Sequence, residues 1–180
     1  MYILKISKIK VGIFFIVVAT ILIETITISA YEITKKSDIE EMKNKIESET
    51  VEMSTDARKT LDLINEYRNQ NGLESLKPYS ELQKVAEIKA EDLELNNYFE
   101  HNSENLGTPF EMLHANSVDY RIAGENLAGN TTPERAVEAW INSPTHRDNI
   151  LEERFEYTGI YVIDSEVYGK IFVQLFIGID

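Results

Sequence analysis

The chain of 180 residues contains no cysteine, so a disulfide framework, a thiolate metal site and a cysteine nucleophile are all excluded. Proline occurs four times, glycine eight times and tryptophan once, which leaves little room for low-complexity linkers or a proline-rich recognition segment. Positive charge is scarce. Eighteen Lys and Arg face 31 Asp and Glu, for a net charge of −13. Lys5, Lys8 and Lys10 against Glu24 make the first thirty residues +2, so the remainder carries −15. A surface that acidic repels phosphate backbones and anionic headgroups, and nucleic acid is excluded as a partner. What remains is 43% hydrophobic and 27% charged, a balance that supports one packed domain rather than disorder.

The basic start, the apolar run Val11–Ile23 and the small residue Ala30 have the layout of an export signal, cleaved or retained as a signal-anchor over residues 1–30. The apolar run is short for a full span, which takes about 20 residues. Membrane association is therefore expected only through an uncleaved N-terminal segment. No cysteine follows the run, so a lipoprotein anchor is excluded. Residues 31–54 are charged and lack Gly and Pro. Ile39, Met42, Ile46 and Met53 recur at helical spacing, and the segment reads as a spacer, either a short amphipathic helix or a loose stalk.

From residue 55 to 180 the pattern is that of a domain. Thr55 or Asp56 is the expected cap of a helix through Asn69, ended by Gly72. Pro78-Tyr79-Ser80 opens a second helix with an apolar stripe of Leu82, Val85, Ala86, Ile88 and Leu93 that also includes Lys89. Thr108-Pro109 and Thr132-Pro133 start two more, each pairing a capping hydroxyl with proline at the first helical position. Ser143-Pro144 repeats the device. Gly124–Gly129 reads as a short strand or turn. Tyr157–Ile163 and Lys170–Ile179 change to a β-branched and aromatic composition joined as a hairpin. Helices first and strands last indicate an α+β fold.

Three histidines and one glutamate are candidates for chemistry. His101 follows the second helix, His114 lies inside the third, and His146 sits near a helix start. Taken singly, each is more commonly structural than functional, as is Glu125. Asn126 is expected to bond the backbone of its own turn, Trp140 to fill the core, Ser143 to cap a helix, and Arg147 with Asp148 to form a surface pair worth little.

The order of the motifs is more specific. Phe99-x-His101, Gly124-Glu125-Asn126-Leu127-Ala128, Ala139-Trp140-x-Asn142-Ser143-Pro144-x-His146-Arg147-x-Asn149-Ile150-Leu151 and Val173-Gln174-Leu175-Phe176 follow one another across the domain. The set resembles the bacterial, cysteine-free branch of the CAP superfamily (cysteine-rich secretory proteins, antigen 5, pathogenesis-related proteins). The resemblance implies a CAP-type α-β-α sandwich, with a central antiparallel sheet flanked by helices. It also implies a cleft lined by two histidines and two acidic residues, of which His101, Glu125 and His146 match by position. Ser143 stands where many members carry the second glutamate, and His114 matches no cleft position.

Two imidazoles and a carboxylate converging on a cleft suit a divalent metal such as zinc. Without a metal they could move protons. Three functions fit. One is a secreted or envelope module that binds a lipid, a glycan or a wall fragment. Another is a metal-assisted hydrolase of peptide or wall polymer. The third is a non-catalytic interaction protein of the envelope or spore coat. No Ser-His-Asp spacing marks a nucleophile.

Overall fold

The computed structural model describes the backbone of residues 2–48 and 50–179, and the side chains of 21, 23–46, 48 and 50–179. The lysines and most of the apolar run on which the export reading rests lie outside the described side chains. The backbone divides into two compact units, Met1–Asn44 and Lys45–Asp180. One helix, α1, runs from Tyr2 to Ser48, so the segment expected to be either a helix or a loose stalk is helical up to that point. Among the described residues no helix is long and apolar enough to cross a membrane.

The second unit holds five more helices and a four-stranded sheet. The elements are α2 (Thr55–Gln70), β1 (Lys77–Pro78), α3 (Ser80–Leu95), α4 (Pro109–Ala115), β2 (Ile122–Asn130), α5 (Pro133–Asn142), α6 (Pro144–Ile150), β3 (Tyr157–Ser165) and β4 (Gly169–Gly178). The strand order is β1-β3-β4-β2. Three strands are antiparallel as expected. The two-residue β1 adds a parallel pair, Lys77 with Tyr157 and Pro78 with Thr158, which is too short to leave a periodic signal. The segment around Gly124, expected to be a short strand or turn, is a nine-residue strand paired with β4 along its whole length. Its glycines serve close packing. A Cβ at Gly124 would lie 3.0 Å from the Phe155 ring, and one at Gly129 would lie 2.9 Å from the Tyr168 ring.

Sequence chemistry sets the helix ends. The cap of α2 is Ser54, one residue ahead of the expectation, and its hydroxyl accepts from Ala57 N–H. Thr108 and Glu111 form a reciprocal capping box on α4, and Thr132 caps α5. Just past the end of α3, Asn97 takes the left-handed region (φ 51°). The amide N–H groups of Asn97 and Tyr98 return to the carbonyls of Glu94 and Leu93, which turns the chain back along its own helix.

Helices cover both faces of the sheet. Side chains alternate along a strand, so Ile160, Phe172, Phe176 and Ala128 point to one face, where they join Leu61, Ile64, Trp140 and Ile150 in the main core. Each large apolar side chain in that core contributes about 1.5–3 kcal/mol by leaving water. Trp140 also donates its indole N–H to Leu127 O at 2.9 Å. On the opposite face α3 packs over β3 and β4. The approach is close: a Cβ on Gly159 would fall 2.2 Å from the backbone of Leu82.

Candidate functional site

The strand β2 forms one edge of the sheet, and Glu125 and Asn126 are neighbours on it, so their side chains leave on opposite faces. Glu125 points to the α3 face and meets His101. Its Oε1 lies 2.7 Å from His101 Nδ1. A carboxylate only accepts, so Nδ1 carries the hydrogen and Nε2 is left for other partners. The glutamate side chain is 2% exposed and the imidazole 54%, so a buried acid holds an accessible ring. Glu125 Oε2 is buried and has no hydrogen-bond partner among the described residues, which leaves acceptor capacity in the site.

Asn126 points to the other face and ties β2 to α6. Its side-chain N–H donates to His146 O at 3.1 Å, and its Oδ1 accepts from Asn149 Nδ2 at 3.0 Å. Asn149 also donates to Glu125 O at 3.2 Å. The expectation that Asn126 bonds its own turn is therefore corrected: no turn exists there, and the amide bridges two elements. Ser143 is the N-cap of α6 by position, yet its hydroxyl makes no capping bond and lies 2.9 Å from His146 Nδ1. The ring nitrogen, rather than a backbone amide, is the partner of that hydroxyl. Arg147 and Asp148 do form the expected surface pair, at 3.3 Å.

The two imidazoles are tuned apart. The hydrogen bond to Glu125 raises the His101 pKa above the ordinary imidazole value, against an opposing effect of burial. Burial lowers that of His146, and the nearby charge of His101 lowers it further. The two rings are thus shifted in opposite directions from the same ordinary value.

A network under His101 was not singled out from the sequence as part of the site. Lys89 is fully buried on α3 and donates to Tyr98 Oη (2.9 Å), Glu100 O (2.9 Å) and His101 O (3.0 Å). Tyr98 in turn donates to Asp92 Oδ2, which also accepts from Ser103 Oγ at 2.7 Å. Asn96 and Asn105 donate to Asp92 Oδ1. The sequence signal was a lysine and an aspartate three residues apart on the apolar stripe of α3. Beside this loop is a polar cavity of about 390 Å³ lined by Asn96, Tyr98, Glu100, Asn102, Glu104 and Asn105. His114 is exposed on α4 and takes no part in these bonds.

As a metal centre the donor set is short. Among the described residues no three His, Asp or Glu groups are placed to hold an ion. Glu125 stands behind His101 as a carboxylate that orients a ring, the usual outer partner of a ligating histidine. The Nε2 atoms of His101 and His146 are the donors left.

Residues 61–176 match the sequence model of the cysteine-rich secretory protein family, CAP. The uncharacterized protein YkwD of Bacillus subtilis is 41% identical over 122 residues, which is 67% of this chain and 46% of that protein. The crystal structure of an extracellular protein containing an SCP domain from Bacillus anthracis superposes with a TM-score of 0.64 at 30% identity. The overlap covers 72% of this chain and 45% of that one. An outer surface protein from Borrelia burgdorferi gives 0.66 at 26% identity, covering 73% and 98%. The chain spans about half the length of the two Bacillus proteins.

Proposed function

This chain belongs to the cysteine-rich secretory protein (CAP) family, and from that premise we propose that it is an exported binding module whose cleft at His101, Glu125 and His146 takes a polar ligand of the cell envelope, a glycan or wall fragment. The observation that carries the reading is the 2.7 Å contact between a buried Glu125 and an exposed His101. It fixes the orientation and tautomer of that ring, with Nδ1–H on the carboxylate and Nε2 left for a ligand. The polar lining of the adjoining cavity favours hydroxyl and amide groups over an acyl chain. Export is supported by the basic and apolar N-terminus and by the extracellular and outer-surface relatives.

We further propose a divalent cation such as zinc as an adjunct at the same residues. His101 and His146 would hold it through Nε2, with Glu125 orienting His101. Such an ion would supply a Lewis acid to a bound oxygen. The hydrolase reading is weaker. Ser143 occupies the position where the family resemblance places a second glutamate, and its hydroxyl is engaged by His146.

The test is calorimetric titration of the protein with zinc chloride and, separately, with soluble fragments of digested cell wall. His101→Ala and His146→Ala should each weaken binding by about tenfold or more, the loss of one well-placed hydrogen bond or ligand, with the fold retained. Parent-like binding of both probes by both variants would refute the assignment of the cleft.

A further inference from the structure

Lys89 has no exposed surface, and its ammonium has three hydrogens to place. All three go to neutral acceptors: the Tyr98 hydroxyl and the carbonyls of Glu100 and His101. The Tyr98 ring lies 4.8 Å from the same nitrogen. Among the described residues no carboxylate touches it, and the charges of Glu125, Asp92 and Glu100 act on it only from a distance. A buried ammonium without a contact anion is costly to keep, and a cation placed only to neutralise Asp92 or Glu125 would be expected against one of them. Two of the three bonds instead grip consecutive carbonyls, the second belonging to the residue whose ring meets Glu125.

The remaining contacts of this loop point the same way. Asp92, one turn further along α3, gathers Tyr98, Ser103 and Asn105, and Ser103 pairs with Gly107 through its backbone. The chain from Tyr98 to Gly107 is thus bound from below by two charged side chains of one helix, at the point where it must deliver an imidazole to the edge of β2.

We propose that Lys89 is a positioning residue for the His101–Glu125 pair: by holding the carbonyls of residues 100 and 101 it fixes the main chain from which the imidazole reaches the buried carboxylate. The inference deepens the cleft reading above and rests on it, but its measurements involve no ligand. Failure to bind zinc or wall fragments would leave them unaffected.

The experiment is NMR of the whole protein with labelled histidine and tryptophan. In the parent, the His101 Nδ1 proton should give a downfield, slowly exchanging resonance from its bond to Glu125. In Lys89→Met that resonance should disappear, while the Trp140 indole proton, bonded to Leu127 O on the other side of β2, keeps its native position. A native His101 resonance in folded Lys89→Met overturns the proposal. If Lys89→Met does not fold, two other variants decide. Tyr98→Phe leaves both carbonyl bonds intact and should retain the His101 resonance. Glu125→Gln should leave exchange of the Ser103 amide within about threefold of the parent, because the loop is held by Lys89 and not by the pair. Loss of the resonance in the first, or roughly tenfold faster exchange in the second, overturns it.

Discussion

Among the described residues the domain buries two cations, and they differ in what lies beyond them. Arg68 on α2 is 1% exposed and donates to the carbonyls of Glu74, Ile150, Glu152 and Phe155, tying its helix to the segment between α6 and β3. Burial pulls its pKa down, with the charge of Glu152 opposing. Its surroundings close over it, and its work ends in stability. Lys89 is also satisfied by carbonyls, but its neighbourhood ends in an imidazole that is half exposed. The same device, a cation gathering main-chain oxygens, welds a core on one face of the sheet and supports a site on the other.

The comparison can be sharpened by removing each charge system in turn. The largest effect is expected from Arg68→Met, which strands several buried carbonyls at about 1–3 kcal/mol each. Urea unfolding should show a loss of roughly 3 kcal/mol or more. A loss below about 1 kcal/mol would mean that the carbonyls find water without it. Asp92→Asn should cost less, about 2 kcal/mol, the scale of bonds to a charged acceptor. It should also weaken ligand or zinc binding, which Arg68→Met at a temperature where it is still folded should not.

The smallest effect is that of pH on the His101 pair. The folded value for His101 lies above the ordinary 6.5, so its contact with Glu125 adds stability fully below that ordinary value, and the contribution fades as pH rises through the folded value. Asp92 has the opposite sign. Hydrogen bonds from Tyr98, Ser103 and Asn105 outweigh burial and lower its value from 3.8, so its contribution is present above 3.8 and is lost as pH falls through the depressed value. The stability difference between the parent and His101→Gln should therefore shrink from pH 5 to pH 8, by less than about 1 kcal/mol because the ring is exposed to screening water. A difference that grows over that range would contradict the geometry of the pair.

The local devices of the fold were legible in the sequence. Thr108 with Pro109, Thr132 with Pro133 and the β-branched and aromatic composition after Tyr157 each act within a few residues, and each holds its element as read. The length of β2 was not, because Gly124 and Gly129 look like turn residues until Phe155 and Tyr168 are seen lying over them. β1 was missed since two residues carry no period. Of the site, the motifs named His101 and Glu125, which stand in contact, and His146, which is linked to the same strand through Asn126. What could not be read was the partnering of buried charge. Arg68 meets carbonyls up to 87 residues away, and Lys89 sits in an apolar stripe whose polar acceptors arrive only when the chain folds back after Asn97.

The place of β4 in the sheet also bears on how the domain comes into being. β4 is synthesised after every other strand, yet it lies between β3 and β2 and supplies the hydrogen bonds of both. Until residues 169–178 take their place, the facing edges of β2 and β3 are unmatched and open to any other extended chain. Closure of the sheet thus waits on one segment, and a chain cut before Gly169 would expose two unpaired strand edges rather than form a smaller domain.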